Sequence, residues 1–348
     1  MPIIGNTLLL PDSKPWIYFE QIAQQYNSPI ITFWIGRPPT VWLNDAWCAS
    51  DLFDKRAATF SSRPRMVVFG DLGFDQSALV TMKYGERFRV HRKLTHMGIG
   101  IQQVRSYQDL QSDENKVALN DLLTDPTNFA LHLDRYAASV VSIIGFGRRI
   151  PSVDDPIVTE VIALMQKAAE HNVPSKKFPM LIETFPILAR LPRRFLGNRN
   201  PTRGRNFFYA LAEEAAQTPH PSQPRDCYAK TLFDQIPKYN LTDLEVSTLA
   251  GALFGAGSDT SSSTLITFVL ACCAFPEVLP KAWEELDRVV GRHRSPTFED
   301  EASLPYVKAF MKEVLRWRSV AIIGGQPHAP TRDEYYKVRI FSLQTLRL

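Results

Sequence analysis

The stretch Leu241–Phe275, LTDLEVSTLAGALFGAGSDTSSSTLITFVLACCAF, decides how the rest of the chain is read. Thr242 followed three residues later by Glu245 is a capping box, in which each side chain satisfies an orphan backbone donor at a helix start. Pro276 cannot continue a helix. The pattern therefore predicts one helix of about thirty residues, long enough at roughly 50 Å to cross a domain. Leu249, Leu253 and Phe254 carry an apolar stripe to its middle, where the sequence turns to Gly255, Ala256, Gly257, Ser258, Asp259 and Thr260. Two glycines inside a helix cost about 1 kcal/mol each relative to Ala, so something must offset them. Two readings stay open from this stretch alone. In one, a flat or bulky group lies against Ala256 and Gly257 while Asp259 and Thr260 supply a proton path beside it. In the other, the small residues admit a neighbouring helix and the Ser/Thr hydroxyls bond back to their own carbonyls.

The chain of 348 residues has an ordinary share of apolar and charged residues, enough to bury a large core. No window approaches the 18 or so consecutive apolar residues of a membrane span, and Met1–Gly5 lacks the basic start and apolar centre of a signal peptide. The four cysteines, Cys48, Cys227, Cys272 and Cys273, show no CxxC spacing and fit a reducing compartment. A net charge of +4 is mild and scattered, which argues against nucleic-acid binding. A phosphate loop, an HExxH zinc pair and a complete dinucleotide fingerprint are all missing from the sequence. His91 and His96, five apart, make a poor metal pair, and the reading assigns no metal-ligating residue.

Working outward, Trp16–Tyr26 reads as an amphipathic helix, and Ile30–Ile35 with Thr40–Asn44 as a hairpin across Gly36-Arg37-Pro38-Pro39. Ala46–Ala57 reads as a helix, Phe60–Arg65 as a basic turn, and the glycine-interrupted Phe69–Phe74 as a loop over a pocket. Tyr84–His96, YGERFRVHRKLTH, crowds Arg87, Arg89, His91, Arg92 and Lys93 into a short helix on which Phe88 and Arg92 share a face. It is either an anion site with an aromatic beside it, a docking face for an acidic partner, or a solvated helix surface. Helical patterns continue through Leu110–Leu123, Asp134–Ile144 and Ile157–Ala169. Residues 173–205 are proline-rich and basic, readable as a segment dipping into a bilayer surface, a lid, or a plain surface loop. Glu277–Val290 is an amphipathic helix ended by Gly291. In the helical run Leu304–Trp317, Glu313 and Arg316 lie three apart, a buried pair only if further hydrogen bonds complete it and otherwise a surface pair. The pattern is mainly α with a small β-sheet, an α+β class.

Taken in order, these pieces resemble the cytochrome P450 family of haem-thiolate monooxygenases, most closely its fungal members. Ala256-Gly257-Ser258-Asp259-Thr260 is similar to the family's oxygen-binding helix motif, Glu313-Val314-Leu315-Arg316 to its Glu-x-x-Arg helix, and Phe88-x-x-x-Arg92 to its Trp-x-x-x-Arg. The likeness runs from Pro2 to about Tyr336. It implies the cytochrome P450 fold and a haem cofactor, with Arg63, Arg92 and His328 holding the propionates, since a guanidinium fork suits a carboxylate. Phe88 stands where the family carries Trp and forfeits an indole donor. Ala256 and Gly257 would face porphyrin and dioxygen, Asp259 and Thr260 would relay protons, and Phe69, Ile322 and Ile323 would line the substrate pocket. Glu313 and Arg316 would form the structural ion pair.

The resemblance also implies a cysteine ligand on a glycine-rich loop downstream of Pro327-His328, and no such loop follows. Lys337–Leu348, KVRIFSLQTLRL, does not resemble the family. Residues 1–336 are accordingly expected to be a partial family domain, incomplete at the C-terminus and without the N-terminal anchor, with 337–348 a separate tail. The implied activity is insertion of one oxygen atom from O2 into an apolar organic substrate. Electrons would come from NADPH through a reductase docking near Arg89 and Lys93, with the complete family member expected at the cytosolic face of the endoplasmic reticulum and this chain, without the anchor, either there or in the cytosol. Lacking the thiolate that favours O–O cleavage, this polypeptide is expected not to turn over. The rival expectations are a non-catalytic helical interaction module and a gene-model or pseudogene fragment.

Overall fold

The computed structural model describes residues 5–11, 13–35, 39–74, 76–171, 177–191, 201–217, 227–337 and 339–341. The long helix predicted at Leu241–Phe275 is present as Asp243–Ala274, and both halves of the Thr242/Glu245 capping box are made. Elements are named in chain order. Helix α1 (Pro15–Gln25) precedes strands β1 (Ile30–Trp34) and β2 (Pro39–Leu43), which are followed by α2 (Ala46–Phe53) and α3 (Ala57–Phe60). Next come α4 (Glu86–Ile99), α5 (Ile101–Ser106), α6 (Gln108–Thr124), α7 (Phe129–Phe146), α8 (Pro156–His171), α9 (Lys177–Thr184), α10 (Pro201–Gln217) and α11 (Tyr228–Tyr239). The long helix is α12, followed by α13 (Leu279–Val289), α14 (Pro305–Trp317), β3 (Glu334–Tyr336) and β4 (Arg339–Phe341).

The main core lies between α12, α7, α10 and α11. Val246, Leu249, Ala250 and Phe254 of α12 meet Val141 and Phe146 of α7, Phe208 and Leu211 of α10, and Leu232 of α11. Full burial of one such side chain contributes about 1.5–3 kcal/mol. Small residues set how closely these helices approach. A Cβ on Gly251 would sit 2.7 Å from the Phe208 ring, and one on Gly257 would sit 2.5 Å from Cγ1 of Val141. Neither position has room for a methyl group, which is what offsets the weaker helix propensity of glycine there.

The two sheets are separate antiparallel hairpins. In the first, Ile30 pairs with Leu43 and Thr32 with Val41. Alternation along β1 buries Ile31 and Phe33 on one face. Phe19 of α1 stacks on Trp42 there, with ring centroids 3.7 Å apart. The second hairpin, β3–β4, starts inside the region that resembles the family and continues into the stretch read as a separate tail. Tyr336 packs into the α2 cluster with Cys48, Leu52 and Phe60.

Two loop expectations are corrected. Val67–Phe74 is a wide helical turn, in which the Asp71 N–H reaches back five residues to Met66 O at 2.9 Å. Its start is held by Glu183 of α9, whose carboxylate accepts from the Val67 and Val68 N–H groups at 3.0 and 2.9 Å. No local pattern announces a cap supplied from more than a hundred residues away. Within 173–205, Lys177–Thr184 is helical and Ile182 is fully buried against Val67 and Val68, so this part is packed scaffold. The other expected segments at 172–176 and 192–200 lie outside the described residues. Among the described residues no single helix is long and apolar enough to cross a membrane.

Candidate functional site

The residues singled out on α12 divide between two faces. Gly257 is turned toward α7 and packs on Val141, so the expectation that it faces a cofactor is replaced by a helix contact. Ala256, Asp259 and Thr260 are exposed, and with Ala252 four residues earlier they form an open strip of small and polar side chains. Three hydroxyls around this strip bond back to the helix's own carbonyls. Thr260 Oγ1 donates to Ala256 O at 2.6 Å, Ser258 Oγ to Phe254 O at 2.9 Å, and Thr264 Oγ1 to Thr260 O at 2.8 Å. The close helix contact and the back-bonded hydroxyls match the packing reading of this stretch, while the exposed strip lies on the opposite side of the helix. The Asp259 carboxylate makes no hydrogen bond or ion pair among the described residues, although its backbone carbonyl accepts from Ser262 Oγ at 3.3 Å.

Arg63 and His328 are brought together where the segment after α3 meets the segment before β3. Ser62 and Ala329 form an isolated antiparallel bridge. Arg63 Nη1 donates to Gln326 O at 2.6 Å and Pro327 O at 3.1 Å, while its Nε is buried without a partner. Burial pulls the Arg63 pKa down from the usual guanidinium value. No carboxylate pairs with it among the described residues, so a half-buried cation is left with an unused donor. His328 Nδ1 lies 2.7 Å from Phe60 O. Burial first, and the Arg63 charge second, lower the His328 pKa against the opposing effect of the Phe60 carbonyl.

This junction reaches α4 through two contacts. The Tyr84 N–H donates to Ser62 Oγ at 3.1 Å, and the Tyr84 ring lies 5.5 Å from the Phe88 ring. Arg92, one turn after Phe88, is exposed and has no ion-pair partner among the described residues. The same segment touches α12, since Thr248 Oγ1 lies 3.4 Å from Ser77 O. Arg63, His328 and Phe88 are therefore joined by contact, and Arg92 extends from the helix that carries Phe88.

The remaining candidates sit elsewhere. Phe69 is half-buried in the wide turn Val67–Phe74. Ile323 packs on the cluster of Phe19, Ile31 and Trp42, and Ile322 is 53% exposed. Glu313 and Arg316 form a two-bond pair at 2.5 and 2.7 Å with side chains 56% and 72% exposed. That is the surface form of the pair, contributing about 0–1 kcal/mol. At the start of α14 a different acid matters: Glu285 of α13 accepts from the Tyr306 and Val307 N–H groups at 3.1 and 2.9 Å.

Sequence reasoning missed one buried cluster. Arg87 grips both oxygens of Glu245, and His91 Nε2 lies 3.0 Å from Glu245 Oε1. Burial would raise the Glu245 pKa, but the Arg87, Thr242 and His91 bonds outweigh it and hold the carboxyl at about 2. Burial likewise depresses the His91 pKa, against the pull of Glu245. The spacing of Arg87 and His91, four apart on α4, was the available signal, submerged in a run of five basic residues.

These residues fit a haem on two sides only. The half-buried cation with a spare donor at Arg63, beside His328, suits a carboxylate, and the open strip at Ala252, Ala256 and Thr260 suits a flat group. The thiolate side does not fit. Cys48 is 0% exposed in the α2 cluster and Cys227 is buried in the main core. Cys272 and Cys273 lie about 22 Å along α12 from Gly257 at 1.5 Å per residue. Among the described residues no three His, Cys, Asp or Glu groups are arranged to hold a metal ion.

Comparison with known proteins completes the picture. The sequence profile of the cytochrome P450 family matches residues 1–335. A cytochrome P450 monooxygenase of Armillaria gallica is 32% identical over 345 residues, covering 96% of this chain and 65% of that protein. Cytochrome P450 monooxygenase 58 of Postia placenta is 31% identical, covering 97% of this chain and 64% of its own length. Cytochrome P450 monooxygenase polD of Polytolypa hystricis is 33% identical with 97% and 65% covered. The chain thus spans less than two thirds of the length of these relatives. With nearly every residue matched, and with the helical architecture and small sheets described above, the chain belongs to the cytochrome P450 family.

Proposed function

We propose that this chain carries the oxygen-facing and propionate-facing portion of a haem-dependent monooxygenase acting on a small apolar organic substrate, and that these 348 residues alone do not insert oxygen. The observation that carries the reading is the half-buried Arg63, which has no carboxylate partner among the described residues and whose neighbour Ser62 accepts from the Tyr84 N–H just before α4. Arg63 and His328, with Arg92 from α4, hold propionates. The strip at Ala256 leaves space for the cofactor edge, while Gly257 lets α12 approach α7. Asp259 and Thr260 hold and pass protons at that strip; Thr260 Oγ1 keeps its lone pairs available because its own proton is committed to Ala256 O. A haem ligated by thiolate supplies the electron density that favours O–O cleavage. No cysteine of this chain lies at the strip.

The exposed basic residues Arg89 and Lys93 of α4 form the docking face for an NADPH-dependent reductase. A complete protein of this family would act at the endoplasmic reticulum surface, and 337–348 is a segment outside the family domain. The test is to purify the chain, supply haem and record the reduced carbon monoxide difference spectrum. Haem uptake without a thiolate-type band, weakened by Arg63→Ala, is the expected outcome. A stable thiolate-type band would overturn the claim of inactivity. A cooperative monomer that takes up no haem would replace this reading with the non-catalytic helical module.

A further inference from the structure

The Arg87–Glu245–His91 cluster joins three helices through one carboxylate. Glu245 Oε2 accepts from the Thr242 N–H at 2.9 Å and from its hydroxyl at 3.0 Å, closing the start of α12. Both of its oxygens also take Arg87, and Oε1 takes His91. Arg87 in turn donates to Tyr239 O at 2.7 Å and Asn240 O at 3.1 Å, the carbonyls at the end of α11. The acid therefore sits at the positive end of α12 and the guanidinium at the negative end of α11, each with the favourable sign for the helix dipole. Asn240 makes the corner between them in the left-handed region, at φ 48°. His91 is fully buried, and its Nδ1 has no partner, which leaves Glu245 as the acceptor for the proton on Nε2.

Arg87 and His91 lie four apart on α4, so tying both to one carboxylate fixes the rotation of that helix as well as its distance from α12. Phe88 and Arg92 each follow by one residue, about 100° further round. We propose that Glu245 is a positioning residue: through Arg87 and His91 it sets the register in which the Phe88 and Arg92 face of α4 meets the open strip of α12. What those two faces hold rests on the reading given above. The clasp itself rests on the geometry alone.

The test contains no haem, so its failure leaves that reading standing. Spin labels are placed at Arg89→Cys on α4 and Ser261→Cys on α12, both exposed positions, with Cys272 and Cys273 changed to Ser, and the interhelix distance is read by pulsed electron paramagnetic resonance. The starting protein is expected to give one narrow distribution. Glu245→Ala is expected to broaden it or add a second distance, and Glu245→Gln, which keeps an acceptor for Thr242 and His91 but loses the charge, to do so to a smaller extent. Thr242→Ala weakens the helix cap while leaving Arg87 and His91 on Glu245, and is expected to lower stability with the distribution still narrow. Should Glu245→Ala not fold, Glu245→Gln against Thr242→Ala carries the comparison. The proposal is overturned if both Glu245 variants that fold keep the narrow distribution, or if Thr242→Ala broadens it as much as they do.

Discussion

Replacing Gly257 by Ala isolates the packing role of α12 from its open strip. In a helix interior the change should by itself stabilise by about 1 kcal/mol, because Ala restricts the unfolded backbone more than Gly does. The structure opposes that gain. The new Cβ would lie 2.5 Å from Cγ1 and 3.6 Å from Cβ of Val141. Val141 is buried on α7, and a valine in a helix strongly prefers one rotamer, so it cannot easily swing aside. Forcing an extra methyl into a packed contact costs roughly 1–3 kcal/mol. The expected net effect is a destabilisation between about 0 and 2 kcal/mol. In a Val141→Ala background the obstructing methyl is gone, and Gly257→Ala should recover its stabilisation of about 1 kcal/mol. Urea unfolding of all four proteins, followed by far-ultraviolet circular dichroism, gives the coupling energy, expected at about 1–3 kcal/mol. If Gly257→Ala stabilises equally in both backgrounds, α12 and α7 are not in close contact there and the assignment of Gly257 to the scaffold face is wrong.

Two further outcomes follow from the packing and the charges. A thiol reagent under native conditions should modify the exposed Cys273 and, more slowly, the half-buried Cys272, and reach Cys48 and Cys227 only on unfolding; native labelling of Cys48, read by peptide mass, would contradict its place under α2. Glu245 is held at about 2 against an ordinary 4.5, so its contribution is complete above pH 4.5 and disappears as pH falls toward 2. Glu245→Gln should therefore flatten that part of the stability profile, and unfolding curves that superimpose on the parent's between those pH values would refute the clasp's ionic character.

The helices whose signals are local were legible. The capping box and Pro276 placed α12, and the turn-rich Gly36–Pro39 segment between β-branched runs placed the first hairpin. Hydrophobic spacing located most of α4, α6, α7, α8, α13 and α14. The sequence named the candidate site as a set of residues, but not as an arrangement. Phe88 and Arg92 share a face by spacing alone, whereas the meeting of Arg63 with Gln326 and Pro327 spans more than 260 positions and has no local signature. The ordered motifs brought the family into view because motif order survives in one dimension.

Sequence by itself determined where the long helix begins and ends, that its middle is made of small residues, and which acids and bases lie a turn apart. Those properties depend on neighbours within about four positions along the chain. Only the tertiary structure decided that Gly257 looks into α7 while Ala256 looks out, that Glu313–Arg316 is a surface pair, and that Glu245 closes three helices at once. Each of these depends on which distant surface a side chain meets, and that is set by the packing of whole helices against one another rather than by the residues beside it.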